Sequence, residues 1–556
     1  MRRPLARVAV VLGVLVVAGG VYLLVSASDS TIRGEVRDAD GMPVAGAVVR
    51  IQATEVATWT DAAGRFTFDV EDSVRLTAWA PGHYIAGGDE HRPGSDVRFQ
   101  LSAIPDLDNP NYSWLSVAAG GEGEDQGCAA CHRAVGTDLP FPLPVDEWSQ
   151  DAHGGSARNP RFLTMYVGMD VDANRSPPTR YVNNRDYGRV PLPPDPKQPY
   201  YGPGYKLDFP EDAGNCGTCH VPIAAVNDPY GVDLRDITGV AAEGITCDFC
   251  HKVWDVALDP ATAMPVPNRP GVLSFEFLRP SEGHQFFAGP FDDVAPGEDY
   301  YSPLQTESAY CAPCHTAVFW DTVVYDSYGE WLRSPYSDPE SGQTCQDCHM
   351  PVTGATHFVR PDAGGLERDP ETIRSHLMPG ASDEQLLRNA VTMTAEADRE
   401  GEVIGVTVTI TNDRTGHHVP TDSPLRHLIL LVTATDTNGN SLDLVSGPVV
   451  PEWGGVGDTA SGNYAGLPGT AYAKVLEELW TEASPTAAYW NQTRVLSDNR
   501  IAALASDTTR YEFVAPFSND VTIEVALLFR RAFIELMDQK GWDVPDIEMA
   551  RIVIDG

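Results

Sequence analysis

The sequence predicts a multidomain chain: an amino-terminal membrane anchor, a small β-sandwich, an irregular central domain of short helices and loops, and a carboxy-terminal β-sandwich. Three observations predict it. Cys-x-x-Cys-His recurs five times between Cys128 and His349. Short apolar alternations broken by turn residues lie on both sides of that stretch. An uncharged apolar run occupies Val8–Val25 near the amino terminus.

Length and composition set the bounds. A chain of 556 residues has material for several domains with cores of their own. Acidic residues number 78 against 39 basic, a net charge of −39, which repels nucleic acid and anionic lipid surfaces. No nucleic-acid partner is expected. The same acidity would keep an exported protein soluble and would favour basic partners or cations.

The first segment, residues 1–30, opens with basic Met1-Arg2-Arg3-Pro4-Leu5-Ala6-Arg7 and continues into the apolar run. Its 18 uncharged residues are just adequate for a membrane span, and the basic flank would stay cytoplasmic, sending the rest outward. A membrane-anchored, exported protein facing the periplasm or the cell exterior is the expectation. A signal peptide cleaved at Val25-Ser26-Ala27 is the alternative.

Residues 31–102 read as a small β-sandwich. The runs Thr31–Val36, Val48–Ile51, Arg65–Phe68, Val74–Trp79 and Val97–Leu101 alternate, with Asp40-Gly41, Ala63-Gly64 and Pro81-Gly82 as turn signals. Gly34-Glu35-Val36, Pro43-Val44-Ala45-Gly46-Ala47, Thr60–Phe66 and Ala80–Tyr84 resemble the carboxypeptidase regulatory-like family. That resemblance implies a spacer or docking module without catalysis. His83 and His91 fall here and are expected to be exposed turn residues. Residues 103–127 end in acidic Gly120–Asp125 and read as a flexible linker.

Residues 128–380 hold the chemistry. The motifs are Cys128-x-x-Cys131-His132, Cys216-x-x-Cys219-His220, Cys247-x-x-Cys250-His251, Cys311-x-x-Cys314-His315 and Cys345-x-x-Cys348-His349. Such spacing reads as c-type haem attachment: two thiols bond to the porphyrin, and the following His supplies one axial nitrogen to the iron. A zinc half-site or redox dithiol would explain one copy. Neither explains five copies that each carry the His and together use all ten cysteines. Five covalently attached haem c groups are the expected cofactors. Because porphyrins would fill the core, little amphipathic periodicity is needed, and short helices after the motifs with long loops between them are expected. Asp170-Val171-Asp172-Ala173-Asn174 resembles the start of a calcium loop but has Arg175 where the glycine belongs.

Residues 381–556 read as the second β-sandwich. Ser382–Leu387 predicts a capped helical turn, and Val406–Ile410, Leu428–Thr433, Thr509–Val514 and Val521–Phe529 predict strands.

The opposite axial position of each iron decides between an electron relay and a small-molecule site. Trp148–His153, Gly244–Lys252, Glu330–Tyr336 and Thr344–Pro351 resemble the cytochrome c554-type multihaem cytochromes. Asn412–Thr421 with Arg426 resembles the β-domain of related multihaem proteins, whose Gly-His-x-x-Pro-Thr loop reaches back to a haem. The resemblance implies His153, His357, His376 and His417 as distal ligands, with His284 the fifth candidate on a loosely placed loop and Met350 and Met378 the alternative donors. The function expected is electron transfer along bis-His haems between a membrane or periplasmic donor and an outer acceptor. A reductase or oxidase of small nitrogen or sulfur compounds with one open haem is the alternative. Redox proteins are the expected partners, and the two β-domains would suit assembly into a homo-oligomer or filament.

Overall fold

The computed structural model describes residues 10–17, 20–27, 30–118, 127–281, 284–515 and 520–555. The basic Met1–Arg7 flank and the acidic Gly120–Asp125 stretch lie outside the described residues. The run expected to span a membrane as a helix is instead a pair of antiparallel strands, Val10–Val17 and Gly20–Ala27. The physical reason is its wealth of valine, a residue type favoured in extended backbone. Among the described residues no helix is long and apolar enough to cross a membrane.

The first β-sandwich forms where expected. A three-stranded sheet in the order Arg65–Asp69, Thr31–Asp38, Asp96–Leu101 faces a four-stranded sheet in the order Ala57–Trp59, Val48–Ile51, Val74–Trp79, Ala86–His91. Inward residues of alternate positions, including Ile32, Val36, Phe66, Phe68, Val49, Leu76, Val97 and Phe99, make one core. Gly64 closes the Ala63-Gly64 turn at φ +72°, and a Cβ there would lie 2.5 Å from Val36 O. His91 ends a strand and packs edge-on against Phe99, and His83 bridges to Ala103, so both are half-buried where exposed turn residues were expected.

The central region is built from one- and two-turn helices, 3-10 turns and two-stranded ribbons. Helical turns sit on the motifs themselves rather than after them: Ala129–His132, Gly217–His220, Cys247–Cys250 and Cys345–His349, while the fourth follows the 3-10 turn Ser308–Cys311. A helical turn puts residues i, i+3 and i+4 on one side, so both sulfurs and the imidazole of each motif face the same way. Thr246 and Thr344 cap two of these turns, Thr344 in a capping box with Asp347. Asp170 spends its carboxylate on the backbone N–H groups of Asp172 and Asn174 (3.0 and 2.8 Å), closing a turn.

The second β-sandwich pairs a sheet ordered Thr392–Glu400, Val403–Thr411, Ser506–Val514, Leu444–Ser446 with one ordered Gly469–Tyr472, His427–Asp436, Val521–Arg530, Ile547–Asp555. Its core takes Val406, Val408 and Ile410 from one sheet and Leu428, Leu430, Val525 and Leu527 from the other. The helical turn before it spans Glu384–Arg388 and is capped by Asp383, whose carboxylate accepts from Leu386 N at 2.7 Å; the sequence pattern points instead to Ser382.

Both sandwiches grip the central region. Arg50 pairs with Asp292 (2.6 Å), and Asp293 accepts from Ala53 N (2.6 Å) while pairing with buried Arg368 (2.8 Å). On the other side Lys540 donates to the carbonyls of Thr164, Met169 and Pro203, and Trp490 donates to Asp208 at 2.6 Å.

Candidate haem-attachment and axial-ligand site

The five motifs converge. All ten cysteines are free thiols and half-buried. The Cys128 and Cys247 side chains interact, as do those of Cys219 and Cys314, and of Cys311 and Cys345. Cys250 in turn lies within electrostatic reach of Cys311 and Cys314, and Tyr310 Oη donates to Cys250 O at 3.0 Å. The contacts link the first motif to the third, the third to the fourth, and the fourth to the second and fifth. Burial pushes the Cys250 thiol up to about 11 and Cys216 up to about 12, so these sulfurs are held as thiols, not thiolates.

The motif imidazoles are oriented by main-chain oxygen. Nδ1 of His132 donates to Phe358 O (2.8 Å), that of His251 to Ala288 O (2.6 Å) and that of His349 to Pro379 O (2.7 Å). A carbonyl can only accept, so Nδ1 carries the proton and the Nε2 lone pair is left as the donor. Burial holds His132, His251 and His315 below the ordinary imidazole range and brings His220 to about 4, favouring the neutral form that binds metal.

Three of the five distal candidates, His153, His376 and His417, are gathered around these motifs, while the imidazole of His357 meets Thr356 Oγ1 through Nδ1 at 3.0 Å. His153 stands 6.2 Å from His315 between ring centres, and His417 stands 6.3 Å from His349. Two metal–imidazole bonds of about 2 Å, with about 1.1 Å from each nitrogen to its ring centre, predict roughly 6.2 Å for two imidazoles on one iron. His376 lies by His251 and His132; burial and the nearness of His251 bring it to about 4. Its Nδ1 is shut off from solvent without a full hydrogen bond. His357 directly precedes Phe358, whose ring stacks on His132 at 6.3 Å and whose carbonyl holds its Nδ1. His284 behaves differently. It is exposed in a turn closed by its own N–H on Ser281 O (3.2 Å), and among the described residues no contact of its imidazole joins it to a motif. The buried residues of that segment are Phe286 and Ala288, and their packing against Leu278 turns the chain so that His284 faces out.

Each inward His has a support that sequence spacing did not reveal. Asp151 Oδ2 takes both the N–H and the Nδ1–H of His153 (2.9 and 2.7 Å). Glu147 accepts from His376 N (2.7 Å) and Ser375 Oγ (3.0 Å). Buried Glu330 accepts from His418 N (3.1 Å) and Thr421 Oγ1 (2.5 Å) and pairs with Arg500 (2.7 Å), pinning the loop that presents His417. Phe162 lies flat on the second motif's His220, centres 3.6 Å apart. The sequence-level signals for these groups were the elements of resemblance that contain Asp151, Glu330 and Thr421, none of which says what each side chain holds.

The donor set fits c-type haem: paired unbridged thiols in single helical turns, neutral imidazoles with Nδ1 tied to oxygen, and two imidazole pairs at the separation one iron requires.

Comparison with known proteins agrees at the level of fold. Residues 31–99 match the carboxypeptidase regulatory-like domain. The crystal structure of a penta-heme cytochrome c552 from Thermochromatium tepidum superposes with a TM-score of 0.50 at 17% identity, covering 74% of this chain and 95% of that one. A second solved structure, the Fcho1 mu homology domain from Danio rerio with bound Eps15 peptide, matches 26% of this chain and 39% of its own at 12% identity, with a TM-score of 0.11 that carries no argument. No curated protein matches this sequence. The chain is thus multidomain, with a carboxypeptidase regulatory-like domain at its amino-terminal end, a carboxy-terminal β-domain, and a fold similar over most of its length to that of a pentahaem cytochrome.

Proposed function

We propose that this chain is an exported pentahaem c-type cytochrome that passes electrons along closely spaced haems, most of them clamped by two imidazoles, between a membrane or periplasmic donor and an outer acceptor. The observation that carries the reading is the spacing of His153 from His315 and of His417 from His349, each the width of an iron with an imidazole on either side. Bound haem supplies the one-electron chemistry. The protein's own residues attach it through ten sulfurs, fix the imidazole tautomers, and keep the motifs in mutual contact so that neighbouring sites lie close. The fold likeness to a pentahaem cytochrome supports the same reading. Its partners would be redox proteins, drawn to a strongly acidic surface through basic faces of their own. The β-domains would serve as docking or self-assembly modules. Mass spectrometry of the native holoprotein should find five covalent haems, and replacing His417 with Ala should convert one low-spin EPR signal to high-spin. An unmodified polypeptide would overturn the proposal.

One observation favours the second reading, a reductase or oxidase of small nitrogen or sulfur compounds. Exposed His284 leaves at most four distal candidates for five motifs, and His220 faces Phe162 across its ring plane. A high-spin signal in the unmutated holoprotein that shifts with nitrite or hydroxylamine would select it.

A further inference from the structure

Three arginines stand apart from the charge pattern of the rest of the chain. With 78 acidic residues to 39 basic, a guanidinium here finds a carboxylate easily, and most of the buried ones do. Arg161 and Arg531 do not: among the described residues neither makes an ion pair, and Nε of Arg531 is buried with no hydrogen-bond partner. Arg426 is their neighbour, and it has one carboxylate, Asp422 at 3.5 Å, and the carbonyl of Thr421 at 3.2 Å.

The fold brings the three together from distant parts of the sequence. Arg161 lies on the helix Pro160–Val167, one turn before Met165 on the same face. Leu425 precedes Arg426, and Ala532 and Phe533 follow Arg531. Met165, Leu425, Ala532 and Phe533 belong to one buried cluster, so the guanidinium groups emerge from a shared apolar base. Mutual repulsion confirms their nearness. After burial, the charges of Arg531 and Arg426 depress Arg161, and that of Arg426 depresses Arg531. All three residues are half-buried, and partly desolvated guanidinium groups crowded together favour an anion among them.

The group lies beside the second motif. Phe162, next to Arg161, stacks on His220. Asp422 reaches within 4.0 Å of Nδ1 of His315 and acts electrostatically on His220 and Cys219. Tyr489, in contact with Tyr325, senses Arg426 and Cys216 together.

We propose that Arg161, Arg426 and Arg531 form an anion-binding site at the haem of the second motif, taking a carboxylate or small oxyanion. The inference rests on the cytochrome reading above. Two sources offer that chemistry: a propionate of that haem, or a free oxyanion that reaches its iron. Guanidinium forks match both, each bidentate contact giving two charge-assisted hydrogen bonds.

The test uses the full-length holoprotein and the variants Arg161→Gln, Arg531→Gln and Arg531→Lys. Haems are counted by mass spectrometry, nitrite binding is followed by absorption and EPR, and each haem's midpoint potential is titrated. If a free oxyanion is the ligand, nitrite binds the wild type. Both Gln variants then weaken it about tenfold or more, Lys restores part of the affinity, and nitrite-free potentials stay put. If a propionate is the ligand, nitrite has no effect. The Gln variants then lower one midpoint potential, because lost positive charge disfavours the reduced haem, and Lys reverses the drop. Five-haem variants that change neither readout overturn the site and leave the cytochrome reading standing. A wild type without covalent haem overturns both.

Discussion

At the scale of the residue, the axial positions are governed by groups one step behind the imidazoles. Asp151 is the clearest. Its carboxylate is buried, and it accepts two hydrogen bonds from His153. A carboxylate on Nδ1 makes the other nitrogen more basic and stabilises ferric iron. Asp151→Asn is expected to raise the midpoint potential of one haem and leave the haem count at five, as a spectroelectrochemical titration would show. An unchanged potential would mean that His153 ligates no iron. Such supports were not legible beforehand. The ten cysteines and five motif histidines stand out in the sequence because each motif is contiguous, and His153 and His417 are proposed from short elements around them that carry a pattern. Phe162, Asp422 and Arg531 act on residues far from them in the sequence, where spacing holds no information. His284 misled because it lies near a motif in sequence and the residues beside it, not the imidazole, are the ones that turn inward.

At the scale of the element, the telling unit is the loop Gly416–Thr421 held by the helix Ser327–Leu332. Burial would push the Glu330 carboxyl up, but His418, Arg500 and Thr421 outweigh that and hold it well below the usual carboxylate range. A depressed carboxylate contributes stability that is whole above its unfolded value of about 4.3, because below that point the unfolded chain takes up the proton first. The loop should therefore loosen as pH falls below about 4.3, with the His417-dependent low-spin signal fading while the attachment sulfurs stay bonded. Glu330→Gln should bring the same loss at neutral pH and cost about 3 kcal/mol, since it leaves buried Arg500 with only Asp498. Thermal melting and EPR of the variant check both; a wild-type melt and spectrum would refute the role. Strands were legible where they alternate against a core, as in Val403–Thr411. Thr392–Glu400 sits on the sheet edge, mostly exposed, and its alternation is carried by Met393 and the small Ala395 and Ala397 before the charged run to Glu400, too weak a pattern to mark a strand.

At the scale of the whole molecule, two β-sandwiches with independent cores hold a central region that has little core of its own. Their docking is polar and specific. Asp293 is the junction on the amino-terminal side: 1% exposed, it ties Ala53 of the sandwich to Arg368 of the central region. Asp293→Ala should leave Arg368 buried and unpaired, cost about 3–5 kcal/mol, and free residues 31–102 to be removed by limited proteolysis without loss of haem. Resistance equal to the wild type would show that the Arg50–Asp292 pair and the contacts of Trp79 with Tyr300 and Tyr301 hold the docking without Asp293.

The touching sulfurs of Cys128 and Cys247, of Cys219 and Cys314, and of Cys311 and Cys345 bear on how such a molecule is made. A polypeptide that closed up empty would bring thiols of different motifs to bonding range, and in an oxidising compartment each pair could lock as a cross-link that bars the porphyrin. On the cytochrome reading, maturation would then run ahead of collapse: the ligation machinery would meet an open, reduced strand, and the final shape would be reached by a chain already carrying its pigment.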